Sequence, residues 1–231
     1  MIKINNEIYA FIPAKNNSKR LKRKNFLKFN KKKNYQRVIE LCKKSCLFDN
    51  IILSSNDEEC ENFAKKKNIL FDKRPLSLIK NKSTVANVTN HLIKKFNLND
   101  TDIFCVIYPT AILLSSKTLK KSFNIFRKSR YNILMGVSQY NYSPLKALKY
   151  DNFSKSYYAL FKNKVMDQTD KNYYFSNGTF YWGKVLNFKK EKSFYSKRLG
   201  IYEVPQNEAA DIDTIIDWKL LKKRYETSKN R

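Results

Sequence analysis

Two stretches of this 231-residue chain hold the residue types that phosphate chemistry needs. The first runs Pro13-Ala14-Lys15-Asn16-Asn17-Ser18-Lys19-Arg20-Leu21-Lys22-Arg23-Lys24-Asn25. No acidic residue occurs between Glu7 and Glu40, so nothing nearby in sequence neutralises these cations. A turn after a strand, with Ser18 and several cations, suits a cradle for a triphosphate. Asn16 and Asn17 fit that turn, because asparagine tolerates left-handed backbone. The glycine-rich spacing of a Walker loop is absent, and a solvated basic loop would have the same composition. The second stretch is Asp211-Ile212-Asp213-Thr214. In an extended segment Asp211 and Asp213 point to one side. Two carboxylates so placed suit an octahedral Mg²⁺ shared with phosphate oxygens. The alternative is that they only decorate the start of a last helix, which Thr214 and Asp217 would open as a capping box.

The elements that must position these residues alternate along the chain. Ile8 to Ile12 is a short apolar run ending at Pro13, a buried-strand signal. Tyr35 to Leu47 carries helical spacing through Val38, Leu41 and Cys42. Asn50 to Leu53 and Ile69 to Phe71 read as strands around a helix over Asp57 to Lys67, capped by Asn56 or Asp57. Thr84 to Phe96 puts Val85, Val88, Leu92 and Phe96 on one face. A strand over Ile103 to Tyr108, broken by Pro109, precedes a helix over Ser115 to Lys128 and a strand over Ile133 to Val137. This alternation predicts an α/β fold with a mostly parallel sheet. Ligands then sit at the carboxyl ends of the strands, so the loops after Pro13, at Arg74 and at Pro109 should share one cleft. From Tyr140 to Tyr174 the text turns aromatic, Lys-rich and irregular, which suggests short antiparallel strands or an arm. Strand signals return at Thr179 to Trp182 and Ile201 to Val204, and Thr214 to Lys223 closes as a helix. The run Lys31 to Lys33 reads as a surface turn.

Composition narrows the class. Lys and Arg total 47 against 20 Asp and Glu, a formal charge of +27. A solvated lysine coat and a phosphate- or carboxylate-rich partner both fit that excess. No apolar run approaches the ~20 residues that span a bilayer, and Met1 to Asn6 lacks an apolar leader core; a cytoplasmic protein is expected. Cys42, Cys46, Cys60 and Cys105 form no CxxC pair, and His91 is the sole histidine, so no Cys/His zinc set is available. The thiols are expected buried and free. His91 reads as a boundary residue, and Trp182 and Trp218 as packing. The aromatic group Tyr157, Tyr158, Phe161, Tyr173, Tyr174 and Phe175 reads as interface or core, with a sugar platform as the alternative.

Taken together, IPAKNNSKRLKRKN (Ile12 to Asn25), LSSND (Leu53 to Asp57), RP (Arg74-Pro75), IYPTA (Ile107 to Ala111), NGTFYWG (Asn177 to Gly183) and DIDTIIDW (Asp211 to Trp218) form an ordered set. That set resembles the acylneuraminate cytidylyltransferases, the CMP-sialic acid synthetases. Tyr108 before Pro109-Thr110, and the run Phe180-Tyr181-Trp182-Gly183, look most like the pseudaminic acid cytidylyltransferase branch. The likeness runs from about Ile8 to Trp218. It implies a single Rossmann-like nucleotidyltransferase domain over 1–231, with a dimerisation or sugar-binding insert at about 140–175. It implies transfer of CMP from CTP to a nonulosonic acid, with Mg²⁺ as cofactor and a homodimer as assembly. By the same likeness Lys15, Ser18, Lys19, Lys24 and Asn25 meet the CTP phosphates or base, and Arg74 approaches the cytosine with Ser83 or Thr84 nearby. Tyr108 and Asn177 border the sugar, with Lys146 in the insert and Gln168 as further contacts. Asp211 and Asp213 match the metal pair. Lys15 stands where an Arg is usual, Ile112 where a Pro is, and Met166, near Gln168, where relatives place an Arg; either Lys162 or Lys164 substitutes, or the sugar accepted differs or activity is reduced. Two other readings remain open at this point. One is a basic nucleic-acid-binding module, although no RRM, KH or zinc-finger signature is present. The other is a nucleotide-binding relative without turnover.

Overall fold

The computed structural model describes residues 6–18, 20–80, 83–161, 172–209 and 212–229. The apolar run at the start forms β1 (Ile8–Pro13). A tight hairpin of β2 (Lys28–Phe29) and β3 (Lys32–Lys33) follows. Asn30 and Lys31 turn it at φ of 44° and 66°. Then come α1 (Asn34–Ser45), β4 (Asn50–Ser55), α2 (Glu58–Lys67), β5 (Leu70–Lys73), α3 (Val85–Lys95) and β6 (Ile103–Ile107). After α4 (Ser116–Lys128) and β7 (Ile133–Gln139), a separate antiparallel hairpin pairs β8 (Leu148–Asp151) with β9 (Ser156–Ala159). The chain closes with β10 (Tyr174–Lys184), α5 (Val185–Glu191), β11 (Leu199–Glu203) and α6 (Ile215–Lys229).

Seven strands form one sheet in the order β11-β7-β10-β6-β1-β4-β5. β5, β4, β1 and β6 run parallel, β10 lies antiparallel to β6 and β7, and β11 is parallel to β7. Alternate strand residues face opposite layers, as the pleat requires. Ala10 and Ile12 pack under α1, α2, α4 and α6, whereas Tyr9 and Phe11 pack under α3 and α5. Trp182 is the largest fully buried side chain; it stacks on Phe48 and donates its indole N–H to Ser122 Oγ at 2.9 Å. Truncating so large a core ring to alanine costs about 3–5 kcal/mol.

The strand order reverses between β1 and β6, because the chain leaves β1 toward β4 but leaves β6 toward β7. That point is where an open α/β sheet offers a crevice. A second device shapes the same end of the sheet. The β7–β10 register shifts between Ser176 and Tyr181, so Asn177 to Phe180 bulge opposite Gly136. Gly178 takes φ 65° there. A side chain at Gly136 would collide with the Thr179 hydroxyl.

Three elements differ from the sequence expectation. β10 is eleven residues long rather than four, because the bulge carries the strand past Asn177-Gly178. The short helix α5 lies where none was expected. Cys46 is exposed, since α1 ends at Ser45 and Cys46 turns out in the left-handed conformation; Cys42, Cys60 and Cys105 are buried as expected. Tyr157, Tyr158, Phe161 and Phe175 are exposed in the single chain, whereas Tyr173 and Tyr174 are half-buried and Tyr174 packs against the core. No helix among the described residues is long and apolar enough to cross a membrane.

Candidate active site

The loop after β1 is tied down on every side, and its braces come from the polar end of β4. Ala14 N–H bonds the Ser54 carbonyl at 2.8 Å, and the Ser55 hydroxyl donates to the Ala14 carbonyl at 2.6 Å. Asn16 and Asn56 exchange two bonds, of 3.1 and 2.7 Å. Asp57 caps α2 through Glu59 N–H and also accepts from Asn16 Nδ2 and Arg23. Buried Asn25 donates to the Lys15 carbonyl at 2.8 Å, and buried Asn34 to the Lys24 carbonyl at 2.9 Å. The basic loop is thus an ordered wall, not a free solvated strap.

That wall closes a cavity of about 150 Å³ at the carboxyl ends of β1 and β6. Lys15, Ser18, Lys24 and Asn25 line it from the first loop, with Tyr108 and Pro109 from the end of β6. Arg74, Ser83 and Thr84 line the far side with the first turn of α3. Thr84 caps α3 in a reciprocal box with Asn87, so the positive end of that helix adjoins the cavity. The hydroxyls of Ser18 and Ser83 are buried and have no hydrogen-bond partner among the described residues, as is also true of Asn34 Oδ1 and Arg37 Nε away from this lining. Buried polar groups are normally satisfied, so the two cavity hydroxyls are open to a ligand. Larger grooves exist, one of about 660 Å³ beneath α6, but its lining holds no such orphaned buried hydroxyl.

The C-terminal acid meets the N-terminal cations here. Lys24 Nζ donates to Asp213 Oδ1 at 2.9 Å and to the Ile212 carbonyl at 3.0 Å, across a chain separation of 189 and 188 residues. Arg20 pairs with the other Asp213 oxygen. Asp217 accepts from the backbone of Asp213 and Thr214, which fixes the segment at the start of α6. Asp217 is partly desolvated, but these hydrogen bonds outweigh that and hold its carboxyl below the usual range.

A charged network stands behind Arg74. Its Nε donates to Ser54 Oγ at 3.1 Å and its Nη2 to the Ser54 carbonyl at 2.9 Å. Ser54 in turn donates to Asp72 at 2.7 Å, and Lys95 and His91 of α3 reach Asp72 at 2.7 and 3.1 Å. His91 is therefore a boundary residue with a specific partner.

Asn177 is buried in the β10 bulge, donates to Ser138 Oγ at 3.0 Å and accepts from the Thr179 hydroxyl at 2.6 Å. It stands one strand away from Tyr108, whose N–H bonds the Thr179 carbonyl. Lys146 lies exposed on a single 3₁₀ turn before β8, outside the cavity lining. Lys19, Asp211 and Gln168, with Lys162, Lys164 and Met166, fall outside the described residues. Sequence reasoning missed Ser54, Ser55, Asp72 and the bracing role of Asn56 and Asp57. The signal was available: an apolar strand that ends in four polar residues.

As to metal, Asp213 supplies the hard carboxylate oxygens that Mg²⁺ takes. Its Arg20 partner is 72% exposed and can swing away, while Lys24 stays anchored on the Ile212 carbonyl. The donor chemistry fits a hard divalent cation. Among the described residues no cluster of three or more potential ligands occurs, so phosphate oxygens or water would complete the shell.

The comparisons with known proteins agree with this geometry. A family model described as cytidylyltransferase matches residues 9–229. The pseudaminic acid cytidylyltransferase of Campylobacter jejuni subsp. jejuni serotype O:2 is 30% identical over 229 residues, 95% of this chain and 96% of that protein. Among solved structures, a 4-diphosphocytidyl-2C-methyl-D-erythritol synthase superposes with a TM-score of 0.70 at 11% identity, covering 96% of this chain and 99% of the other. A CMP:2-keto-3-deoxy-manno-octonic acid synthetase, solved with CTP, superposes with a TM-score of 0.65 at 12% identity, covering 97% and 100%. At that identity the two structures speak for the fold. The match over nearly the whole length, on a sheet whose switch point gathers lysines, orphaned hydroxyls and a C-terminal carboxylate, makes this chain a member of the cytidylyltransferase family.

Proposed function

We propose that the protein transfers CMP from CTP to the anomeric hydroxyl of a nonulosonic acid, with pseudaminic acid the favoured sugar, and releases pyrophosphate. The observation that carries this reading is the junction of Lys24 with Asp213 beside two buried, unpartnered hydroxyls in a chain of this family. The similarity to a pseudaminic acid cytidylyltransferase over nearly the full length supplies the sugar class.

Lys15, Lys24, Ser18 and the adjoining Lys19 take the triphosphate. Asn25 holds the turn that carries them. Arg74, with Ser83 and Thr84 beside it, takes the base. The sugar hydroxyl attacks the α-phosphorus in line and gives up its proton to solvent, and the bond from the α-phosphorus to the β-phosphate oxygen breaks. Fixed lysine charges meet the negative charge that grows on the leaving pyrophosphate; aligned donors of this kind are worth about 10²–10³ in rate each. Holding the two reactants at ~3–3.5 Å removes much of the entropic barrier. Asp213, with Asp211, would hold Mg²⁺, which when bound neutralises phosphate charge and polarises the reacting centre. Lys24 then keeps Asp213 oriented toward the phosphates.

The sugar fits the wider cavity of about 580 Å³ that opens past Ser138, lined among others by Tyr140, Phe175, Glu203 and Arg224. Its entrance adjoins Asn177 through the Ser138 bond. Lys146 would reach this side from the insert. The exposed aromatics of the β8–β9 hairpin, with Tyr157 of β9 71% and Phe153 of the connecting turn 98% exposed, suit burial against a second copy, so the functional unit is a homodimer. No bilayer-spanning helix among the described residues and a nucleotide substrate agree with a cytoplasmic enzyme.

The test mixes full-length protein, CTP, Mg²⁺ and a panel of nonulosonic acids. Pyrophosphate release with one or more sugars is expected. Folded protein that releases none with any sugar contradicts the proposal.

A further inference from the structure

Arg74 is a buried cation, 5% exposed, with no carboxylate touching it directly. Its counter-charge lies one side chain away. β4 and β5 pair in parallel with Ser54 opposite Asp72, so the two side chains share a face of the sheet. The face is the one under α3, where His91 and Lys95 stand one turn apart. Asp72 is 0% exposed and accepts from three donors: Ser54, Lys95 and His91.

The direction of these bonds matters. A serine hydroxyl has one proton and two lone pairs. The Asp72 carboxylate can only accept, so it takes that proton. The Ser54 lone pairs must then face Arg74 Nε. The Ser54 carbonyl takes one Nη2 hydrogen. Two of the five guanidinium hydrogens are thereby spent at the back of the fork. The remaining three have no partner among the described residues, and Arg74 is one of the residues that line the cavity. Without Asp72 the Ser54 hydroxyl can rotate, and the fork loses its fixed plane. α3 is clamped to β5 by the same carboxylate, and its N-cap Thr84 lines the cavity on the same side as Arg74.

We propose that Asp72 is a positioning residue for nucleotide binding, fixing the plane of the Arg74 guanidinium through the Ser54 hydroxyl. The inference rests on the reading above that Arg74 meets the base of CTP. The charge balance supports it. Burial pulls the Arg74 guanidinium down to about 10, and the Asp72 carboxylate opposes that fall. Burial works to raise the Asp72 carboxyl, but the bonds from Lys95, Ser54 and His91 together hold it below its ordinary value. The carboxylate is therefore charged at working pH and able to fix the hydroxyl.

The experiment is a double-mutant cycle on the full chain, read by calorimetric titration with CTP, with thermal unfolding recorded for each variant. Asp72→Asn and Ser54→Ala are each combined with Arg74→Ala. Ser54→Ala leaves the Asp72–Lys95–His91 cluster in place, so it serves where Asp72→Asn fails to fold. Either single change should weaken CTP binding about tenfold. Neither should weaken it further once Arg74 is alanine, because a relay with no endpoint carries nothing. Wild-type affinity in both single variants overturns the proposal, as does a double variant that loses the product of the two single effects. If Arg74→Ala itself binds CTP like the wild type, the placement of Arg74 at the base is wrong and the relay falls with it.

Discussion

Replacing Asp57 by alanine separates what the polar end of β4 does for stability from what it does for the nucleotide. Asp57 makes three bonds: the cap on Glu59 N–H at 3.1 Å, one from Asn16 Nδ2 at 3.2 Å and one from Arg23 at 3.1 Å. The cap contributes about 1 kcal/mol. The Arg23 pair is half in solvent and contributes little, about 0–1 kcal/mol; the Asn16 bond adds about 0.5–1 kcal/mol. A loss of about 2 kcal/mol lowers Tm by roughly 4–8 °C in a chain of this size. Ser115→Ala is the matched control, because Ser115 caps α4 through Thr118 N–H at 3.1 Å and lines no part of the cavity. It should lower Tm by about 2–4 °C and leave the KM for CTP alone. Asp57→Ala should also raise that KM about fivefold, since loosening the loop returns about 1 kcal/mol of ordering cost to the binding step. The KM for the sugar should stay within about twofold, a change below ~0.5 kcal/mol. Steady-state pyrophosphate release at varied CTP reads both constants. A variant with the calculated fall in Tm and an unchanged KM for CTP would refute the view that Asp57 braces the phosphate wall.

Three other outcomes follow from the same geometry. Lys24→Met removes both the Asp213 and Ile212 bonds and the proposed phosphate contact, so kcat/KM should fall about 10²–10³-fold. Lys24→Arg should recover part of that, and a folded Lys24→Met protein of normal kcat/KM would contradict the assigned role. The proposed homodimer predicts a dimeric mass for the wild type in light scattering, and glutamate at both Phe153 and Tyr157, each highly exposed on the hairpin, should reduce it to a monomer; a monomeric wild type, or a mass the changes leave unaltered, would contradict the proposed interface. In native protein one thiol per chain, Cys46, should react rapidly with a disulfide reagent. Burial shields the other three and pushes Cys60 up to about 12. Rapid reaction at more than one thiol would show that the core opens.

The layered α/β fold was legible because its strands are short apolar runs and its helices keep one apolar stripe. Val88 and Leu92 of α3, for instance, announce the face that packs on Phe11 and Phe104. Boundaries failed where a local signal met a tertiary override. Asn177-Gly178 reads as a strand breaker, yet the sheet absorbs it as a bulge opposite Gly136. The helix read over Tyr35 to Leu47 stops at Ser45, because the backbone turns left-handed at Cys46. α5 is seven residues long and its three apolar positions, Val185, Leu186 and Phe188, run on from strand β10 without a break. Within the site, the lysines and Asp213 were visible as chemistry, since charge and spacing are local properties. Their supports were not. Asn56, Asp57 and Asp72 act on partners 40, 41 and 20 or so positions away, and only the register of β1, β4 and β5 brings them together.

The most direct test is a crystal structure of the protein with CTP and Mg²⁺. The triphosphate should lie between Lys15, Ser18 and Lys24 on one side and the Asp213 carboxylate on the other, with the cytosine against Arg74. CTP found in the groove beneath α6, or phosphates with no contact to Lys24, would contradict the account.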